Sequence, residues 1–331
     1  MMLHRILPHA AGLALLAAFP LPPLASGAPA RNNAVYRGAI VVDAVSGRVL
    51  FEDRADEVSP PASMTKLMTY AVLDDRIKGG TLGLGTPVTV TNADAKVAML
   101  KDSTSVWLKA GETFSVEELI YAMMIQSAND AAYTLAHASA GSVPAFVDWM
   151  NAKARQLGMM HTTFRSPHGL PPPSRRIADG DLTTPRDFAI LCRYLLRQTD
   201  VLKYTSVRSR PFGEGRRFPP VQMTNHNHLL GRIAGVDGLK TGFTNGAGFC
   251  LSATASRNGR RIIAVMMDSP DSKSRDLKIA QLIERGFEAL SVVVPAVKAS
   301  GPAASATEAS APNPAATSSS PVKFTIPGIT P

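Results

Sequence analysis

The chain is poor in cysteine: its 331 residues hold two, Cys192 and Cys250. Two are too few for a disulfide framework. Each lies in an apolar run, Ala189-Ile190-Leu191-Cys192 and Gly248-Phe249-Cys250-Leu251. A buried thiol behaves there as a small hydrophobe, so two free thiols are expected. Long apolar runs are missing too. After the first 27 residues nothing approaches the ~18–20 uninterrupted apolar residues of a spanning helix. No Gly-rich phosphate loop is present. No H-E-x-x-H accompanies His226 and His228, and neither is read as a metal ligand. No G-x-S-x-G surrounds Ser63, which could otherwise be imagined in a Ser-His-Asp triad with His168 and Asp148. The formal net charge is +9, but the basic residues are scattered in short pairs such as Arg175-Arg176 and Arg260-Arg261. No nucleic-acid motif accompanies them. A basic exported chain fits an anionic cell-wall polymer at least as well as nucleic acid.

The first 27 residues begin with His4 and Arg5, continue in an apolar stretch from Ala10 to Leu24, and end in Ala25-Ser26-Gly27-Ala28. This is the pattern of a secretory signal peptide. Gly12, Pro20, Pro22 and Pro23 interrupt it, which argues against a transmembrane anchor. Residues 1–27 are therefore read as a cleaved signal, and no transmembrane anchor is expected after cleavage. From residue 295 the chain turns to Ala, Pro, Ser and Thr. With little to bury, residues 295–331 are expected to be a disordered tail. A catalytic domain is assigned to residues 28–294.

Three short motifs carry chemistry: Ser63-Met64-Thr65-Lys66, Ser127-Ala128-Asn129 and Lys240-Thr241-Gly242. In the first, residues three apart share a helix face, so the Lys66 amine can reach the Ser63 hydroxyl. A serine hydroxyl is a weak nucleophile until a base takes its proton, and a desolvated lysine can be that base. The second motif adds a hydroxyl and an amide. The third adds a fixed positive charge, a hydroxyl and a glycine that lets another chain approach. Each motif alone is weak, but together and in this order they form the set of serine-acylating, penicillin-recognising enzymes.

In these motifs the chain resembles the low-molecular-mass penicillin-binding proteins that act as D-alanyl-D-alanine carboxypeptidases. Further runs strengthen the likeness: Ser166-Pro167-His168-Gly169-Leu170, where the family has asparagine for Ser166; Asn225-His226-Asn227-His228; and Val236-Asp237-Gly238-Leu239 before Lys240. Ala128 replaces the family's usual glycine. The resemblance implies an α+β fold, an antiparallel sheet with a helical insert, of the penicillin-binding protein and β-lactamase type. It also implies Ser63, Lys66 and Ser127 as catalytic residues, and Asn129, Lys240, Thr241, Gly242 and Phe243 as substrate-binding. The implied partners are a peptidoglycan stem peptide ending in D-Ala-D-Ala and covalent β-lactam inhibitors, with neither cofactor nor metal, in the periplasm or at the cell wall. A DD-endopeptidase or transpeptidase remains an alternative. A β-lactamase is less favoured, because the single glutamate between Asn129 and Lys240, Glu214, lacks the E-x-x-L-N context. The intact motif set argues against an idle wall-binding protein.

Local patterns place the motifs. Residues 37–53 read as a hairpin with a turn at Ser46-Gly47. A helix should start close to Ser63, run towards Ile77 and stop at Gly79-Gly80. Residues 87–91 alternate like a strand. Ser115 and Glu118 suggest a capping box for a helix to Ile125, with Ser127 and Asn129 on the loop before the next helix, over 130–138. Helices are predicted over 143–157 and 185–197, the latter opened by Thr184 and Pro185. Strands are predicted over 238–241, 249–255 and 261–267, the last two joined at Asn258-Gly259, followed by a helix over 271–290.

Overall fold

The computed structural model describes residues 36–291; the signal-peptide reading and the tail lie outside them. Strands β1 (Gly38–Asp43) and β2 (Val49–Asp53) form the first hairpin. Helix α1 (Lys66–Lys78), β3 (Pro87–Thr89), α2 (Asn92–Lys96), β4 (Thr113–Ser115), α3 (Val116–Tyr121), α4 (Asn129–Ala140) and α5 (Val143–Leu157) follow. Then come α6 (Pro185–Gln198), α7 (Leu202–Thr205), β5 (Ser209–Phe212) and β6 (Val221–Thr224). The chain returns through β7 (Val236–Thr244), β8 (Gly248–Arg257), β9 (Arg260–Ser269) and α8 (Ser272–Ser291).

The main sheet has five antiparallel strands in the order β2-β1-β9-β8-β7. The N-terminal hairpin therefore pairs with strands that arrive some 200 residues later: Ile40 lies opposite Val265. Alternate residues of one strand face opposite sides of a sheet. In β9, Ile263, Val265 and Met267 join the core with α1 and α6. Ile262, Ala264 and Met266 meet Ile279, Leu282 and Ile283 of α8 on the other side. Covered on both faces, β9 reads as an unbroken apolar run rather than an alternating one. The remaining helices and the two-stranded β3-β4 and β5-β6 ribbons form the insert.

The helix starts follow their caps. Ser142 accepts from Ala145 N, and Thr184 from Asp187 N with Pro185 in the first turn. Ser115 accepts from Glu118 N as predicted. The Glu118 carboxylate does not complete the box; it accepts from Gly213 N at 3.0 Å and ties α3 to the end of β5. Asn258 and Gly259 both take positive φ in the β8–β9 turn, the left-handed pair a tight hairpin needs. Among the described residues no helix is long and apolar enough to cross a membrane.

Candidate active site

Ser63 lies on a single 3-10 turn, Ala62–Thr65, and α1 begins only at Lys66. The predicted helix start is thus a tighter turn, in which residues three apart eclipse one another. Lys66 Nζ lies 2.9 Å from Ser63 Oγ. It also donates to Asn129 Oδ1 at 2.6 Å and to the His168 carbonyl at 2.8 Å. Both of these partners are acceptors only. In its neutral form the amine has two hydrogens and one lone pair; these two acceptors engage both hydrogens, and the lone pair then faces the Ser63 proton. Complete burial, reinforced by the charge of Lys240, holds the Lys66 pKa well below the usual lysine range, while Asp181 and Asp130 pull it upward.

The second motif is presented by a backbone irregularity. After α3 the chain makes a π-turn over Ala122–Gln126, and Ser127 follows in the left-handed region at φ 61°, ψ 30°. Strained non-glycine backbone of this kind concentrates at functional sites. The Ser127 Oγ is buried and has no hydrogen-bond partner among the described residues. Asn129 opens α4; its Nδ2 donates to Ser103 Oγ at 3.1 Å and its main-chain N to the Thr104 carbonyl at 2.8 Å. The next residue, Asp130, is buried and accepts from Val106 N and Leu108 N, pinning the strap over 103–108 to α4.

The third motif lies on edge strand β7. A Cβ on Gly242 would stand 2.4 Å from the Pro61 carbonyl oxygen and 3.2 Å from Ser63 N; only glycine lets the strand this close to the nucleophile. Gly169 does the same from the opposite wall, where a Cβ would meet the Ala62 carbonyl at 1.9 Å, and its φ is +82°. Lys240 is buried, and its Nζ donates to the Thr241 carbonyl at 3.1 Å. Burial first, then Arg275, pushes its pKa down to about 7. The positive charge read from sequence as fixed is therefore titratable near neutrality. Phe243 is half-exposed and stacks on Phe249 with ring centroids 4.1 Å apart.

Ser166 fills its unusual position with its hydroxyl, which accepts from Gly169 N at 2.8 Å and donates to Asp181 Oδ2 at 3.1 Å. Asp181 also accepts from Thr65 Oγ1, Arg165 N and Ser166 N. One buried carboxylate thus joins the start of α1 to the loop whose His168 carbonyl holds Lys66. The His168 ring takes no part in a triad. Its Nδ1 accepts from Leu170 N, and burial followed by Lys66 pushes its pKa down to about 3. Among the described residues no group of side chains could hold a metal ion. Cys192 and Cys250 are both free and buried.

Ser63, Ser127, Thr241, Gly242 and Phe243 line one cleft of about 450 Å³. Arg275 of α8, which sequence reasoning missed, is buried to 3% exposure and lines it as well. Its only sequence signal was an arginine at a core-facing position of an amphipathic helix.

The comparisons with known proteins agree with this geometry. The structure of the D-alanyl-D-alanine carboxypeptidase DacD from Francisella tularensis superposes with a TM-score of 0.71 at 27% identity, over 78% of this chain and 71% of that one. Penicillin-binding protein D2 from Listeria monocytogenes, in its ampicillin-bound form, gives 0.66 at 33% identity, over 76% of this chain and 97% of that one. The fold is that of the penicillin-binding DD-peptidases. The family profile described as D-alanyl-D-alanine carboxypeptidase matches residues 27–271, and the chain belongs to that family. D-alanyl-D-alanine carboxypeptidase DacC of Escherichia coli (strain K12) is 36% identical over 263 residues, covering 78% of this chain and 63% of that protein. DacF of Bacillus subtilis (strain 168) is 30% identical over 253 residues, covering 76% and 62%. The chain thus matches a little under two thirds of the length of these curated relatives.

Proposed function

We propose that the protein is a serine-type D-Ala-D-Ala carboxypeptidase that removes the terminal D-alanine from peptidoglycan stem peptides through an acyl-enzyme on Ser63. The observation that carries this reading is the Lys66 amine: fully buried, held by two acceptor oxygens of Asn129 and His168, and 2.9 Å from Ser63 Oγ.

The donor's terminal carboxylate meets Lys240, Thr241 and Arg275, which fixes the peptide's end in the cleft. Lys66 takes the Ser63 proton, and Oγ bonds to the penultimate alanine carbonyl carbon. The N–H groups of Ser63 and Phe243 receive the oxyanion. The unpartnered Ser127 hydroxyl gives its proton to the departing nitrogen and takes up the one Lys66 holds, the C–N bond breaks and D-alanine leaves. Asn129 holds Lys66 through its carbonyl, and its amide also contacts the donor. Water then adds to the ester and returns Ser63 to its hydroxyl form. Asp181, the carboxylate beside the Ala62 turn, has its oxygens committed to four donors. It cannot activate a deacylating water as a β-lactamase carboxylate does, and β-lactams stay trapped as esters. The same reading places residues 1–27 as an export signal, residues 28–294 as the catalytic domain, residues 295–331 as a tail, and the site of action outside the cytoplasmic membrane.

Incubation with a fluorescent penicillin and peptide mapping by mass spectrometry tests the assignment. The expected result is one adduct on Ser63 and release of free D-alanine from D-Ala-D-Ala donors. An adduct elsewhere, or none on the folded protein, overturns it.

A further inference from the structure

A groove of about 530 Å³ opens between α6 and the β1–β2 hairpin, and it shares no lining residue with the catalytic cleft. We propose that this groove receives an extended peptide segment of a partner protein, paired to β2 as an added strand and carrying a carboxylate at the end nearest the hairpin turn. The proposal stands apart from the carboxypeptidase reading above. β2 is the outer strand of the main sheet and, among the described residues, pairs with β1 alone. Its five residues, Val49-Leu50-Phe51-Glu52-Asp53, include no lysine or proline, the residues that commonly close an edge to further pairing. The bulge beside Val42 sets Val49 opposite Val42 and Glu52 opposite Ile40. Opposite residues share a face, and Ile40 and Val42 belong to the core with α6, so Val49 and Glu52 turn towards α6. A strand added to β2 lays every second side chain on that same side, over the apolar wall of Val42, Val49, Leu157 and Ile190.

The need for an anion comes from α6. Arg193 donates from Nε to the Ala44 carbonyl at 3.3 Å and from Nη2 to the Val45 carbonyl at 2.6 Å; Arg197 Nη1 donates to the same Val45 oxygen at 2.9 Å. The Arg193 fork rests on Gly47, where a Cβ would stand 3.2 Å from its Cζ. These bonds tie the hairpin turn to α6, but a guanidinium has five N–H donors, of which Arg193 spends two and Arg197 one. Neither has a carboxylate partner among the described residues. The acidic groups around them are engaged elsewhere: Glu52 and Asp56 with Arg186, Asp75 with Lys153 and Tyr194, and Asp43 with the N–H groups of Val45 and Ser46. Two like charges therefore converge on one oxygen with most of their donors unused, at the turn end of the groove. A carboxylate across both forks meets them in the geometry a guanidinium suits best. A lipid phosphate would use the arginines alone, whereas an acidic peptide uses the arginines and the open strand edge together.

Three fluorescein-labelled, C-terminally amidated hexapeptides test this on the full chain by fluorescence polarisation: Thr-Val-Thr-Val-Thr-Glu, the same peptide ending in glutamine, and the first peptide N-methylated at its third and fourth residues. The glutamine peptide is expected to bind about threefold to tenfold more weakly than the glutamate peptide, as for a carboxylate on partly exposed cations. The difference should shrink in about 0.5 M salt. N-methylation removes main-chain donors on both edges of the peptide and should abolish binding. The double variant Arg193→Gln/Arg197→Gln, checked for an unchanged melting midpoint, is expected to bring the glutamate and glutamine peptides together. Arg197 is exposed, so Arg197→Gln alone keeps the test readable if the double variant melts early. Equal affinities for the two peptides on the wild-type protein, undiminished binding of the N-methylated one, or a preference that survives the double variant overturns the proposal. So does binding to phosphatidylglycerol vesicles with no binding of any peptide, which would make the groove a membrane contact. A dimer that dissociates in the double variant would make a second copy the occupant and overturns it as well.

Discussion

The charge of Lys240 lowers the basicity of Lys66, so the third motif helps to prepare the base of the first. Neither lysine nitrogen has a carboxylate partner among the described residues. A lysine whose folded pKa is depressed binds fewer protons folded than unfolded. For Lys240 that window runs from about 7 in the folded state up to ~10.4 in the unfolded chain, and its contribution to stability rises with pH across it. The same titration removes a charge from the carboxylate site. For a free-acid donor, kcat/KM is expected to fall as pH rises above neutrality, and for an amidated donor this limb should be absent. Identical alkaline limbs for the two donors would show that Lys240 does not read the carboxylate.

Arg275→Ala should lose recognition of the free C-terminus while the protein still folds. Removal of a charge-assisted hydrogen bond costs about 1.5–3 kcal/mol, or roughly 10- to 150-fold in kcat/KM. Lys240→Ala should act in the same direction. The ratio of acid to amide turnover is the measurement, and a variant that keeps the wild-type ratio refutes the role.

Asp181→Asn separates positioning from electrostatics. Lys66 is faced by Lys240 from β7, by Asp130 from α4, and by Asp181 and His168 from the loop side. Asp181 raises the Lys66 pKa, so its neutralisation should move the acidic limb of penicillin acylation to lower pH. Loss of matched acceptors should also cost about 1–3 kcal/mol of stability. A slower reaction with an unmoved limb would reduce Asp181 to scaffolding.

Gly242→Ala puts a methyl group 2.4 Å from the Pro61 carbonyl. The strand must retreat, and the Phe243 N–H moves with it. Loss of one oxyanion donor costs on the order of 100-fold or more in rate, against about 1–3 kcal/mol of stability for overpacking. Stopped-flow acylation and thermal melting read the two effects separately. A variant that acylates at the wild-type rate would remove Gly242 from the site.

The motif residues were legible because their chemistry sits at short fixed spacings. Ser63 and Lys66 are three apart, and Asn258-Gly259 or Thr184-Pro185 announce a turn or a cap by type alone. The rest is built from partnerships that residue types do not disclose. The His168 carbonyl meets Lys66 across 102 residues, and a main-chain oxygen leaves no letter in a sequence. Asp181 looks like an ordinary surface charge until the fold buries it. Lys240 was read as a fixed cation because depth, which sets its charge, is a property of the folded sheet. Glu118 matched a capping pattern, yet its carboxylate bonds to Gly213 N instead.

The strand order β2-β1-β9-β8-β7 sets when this protein can become an enzyme. Ser63 follows the first hairpin, but the Gly242 strand and Arg275 arrive only with the last stretch of described chain, and β1 has no central partner until β9 docks. Pairings this distant are slow to close, because the loop entropy is spent before any contact returns it. The nucleophile and its base therefore stay unassembled through most of synthesis and folding. A chain halted before β9 should carry every residue of all three motifs and acylate nothing.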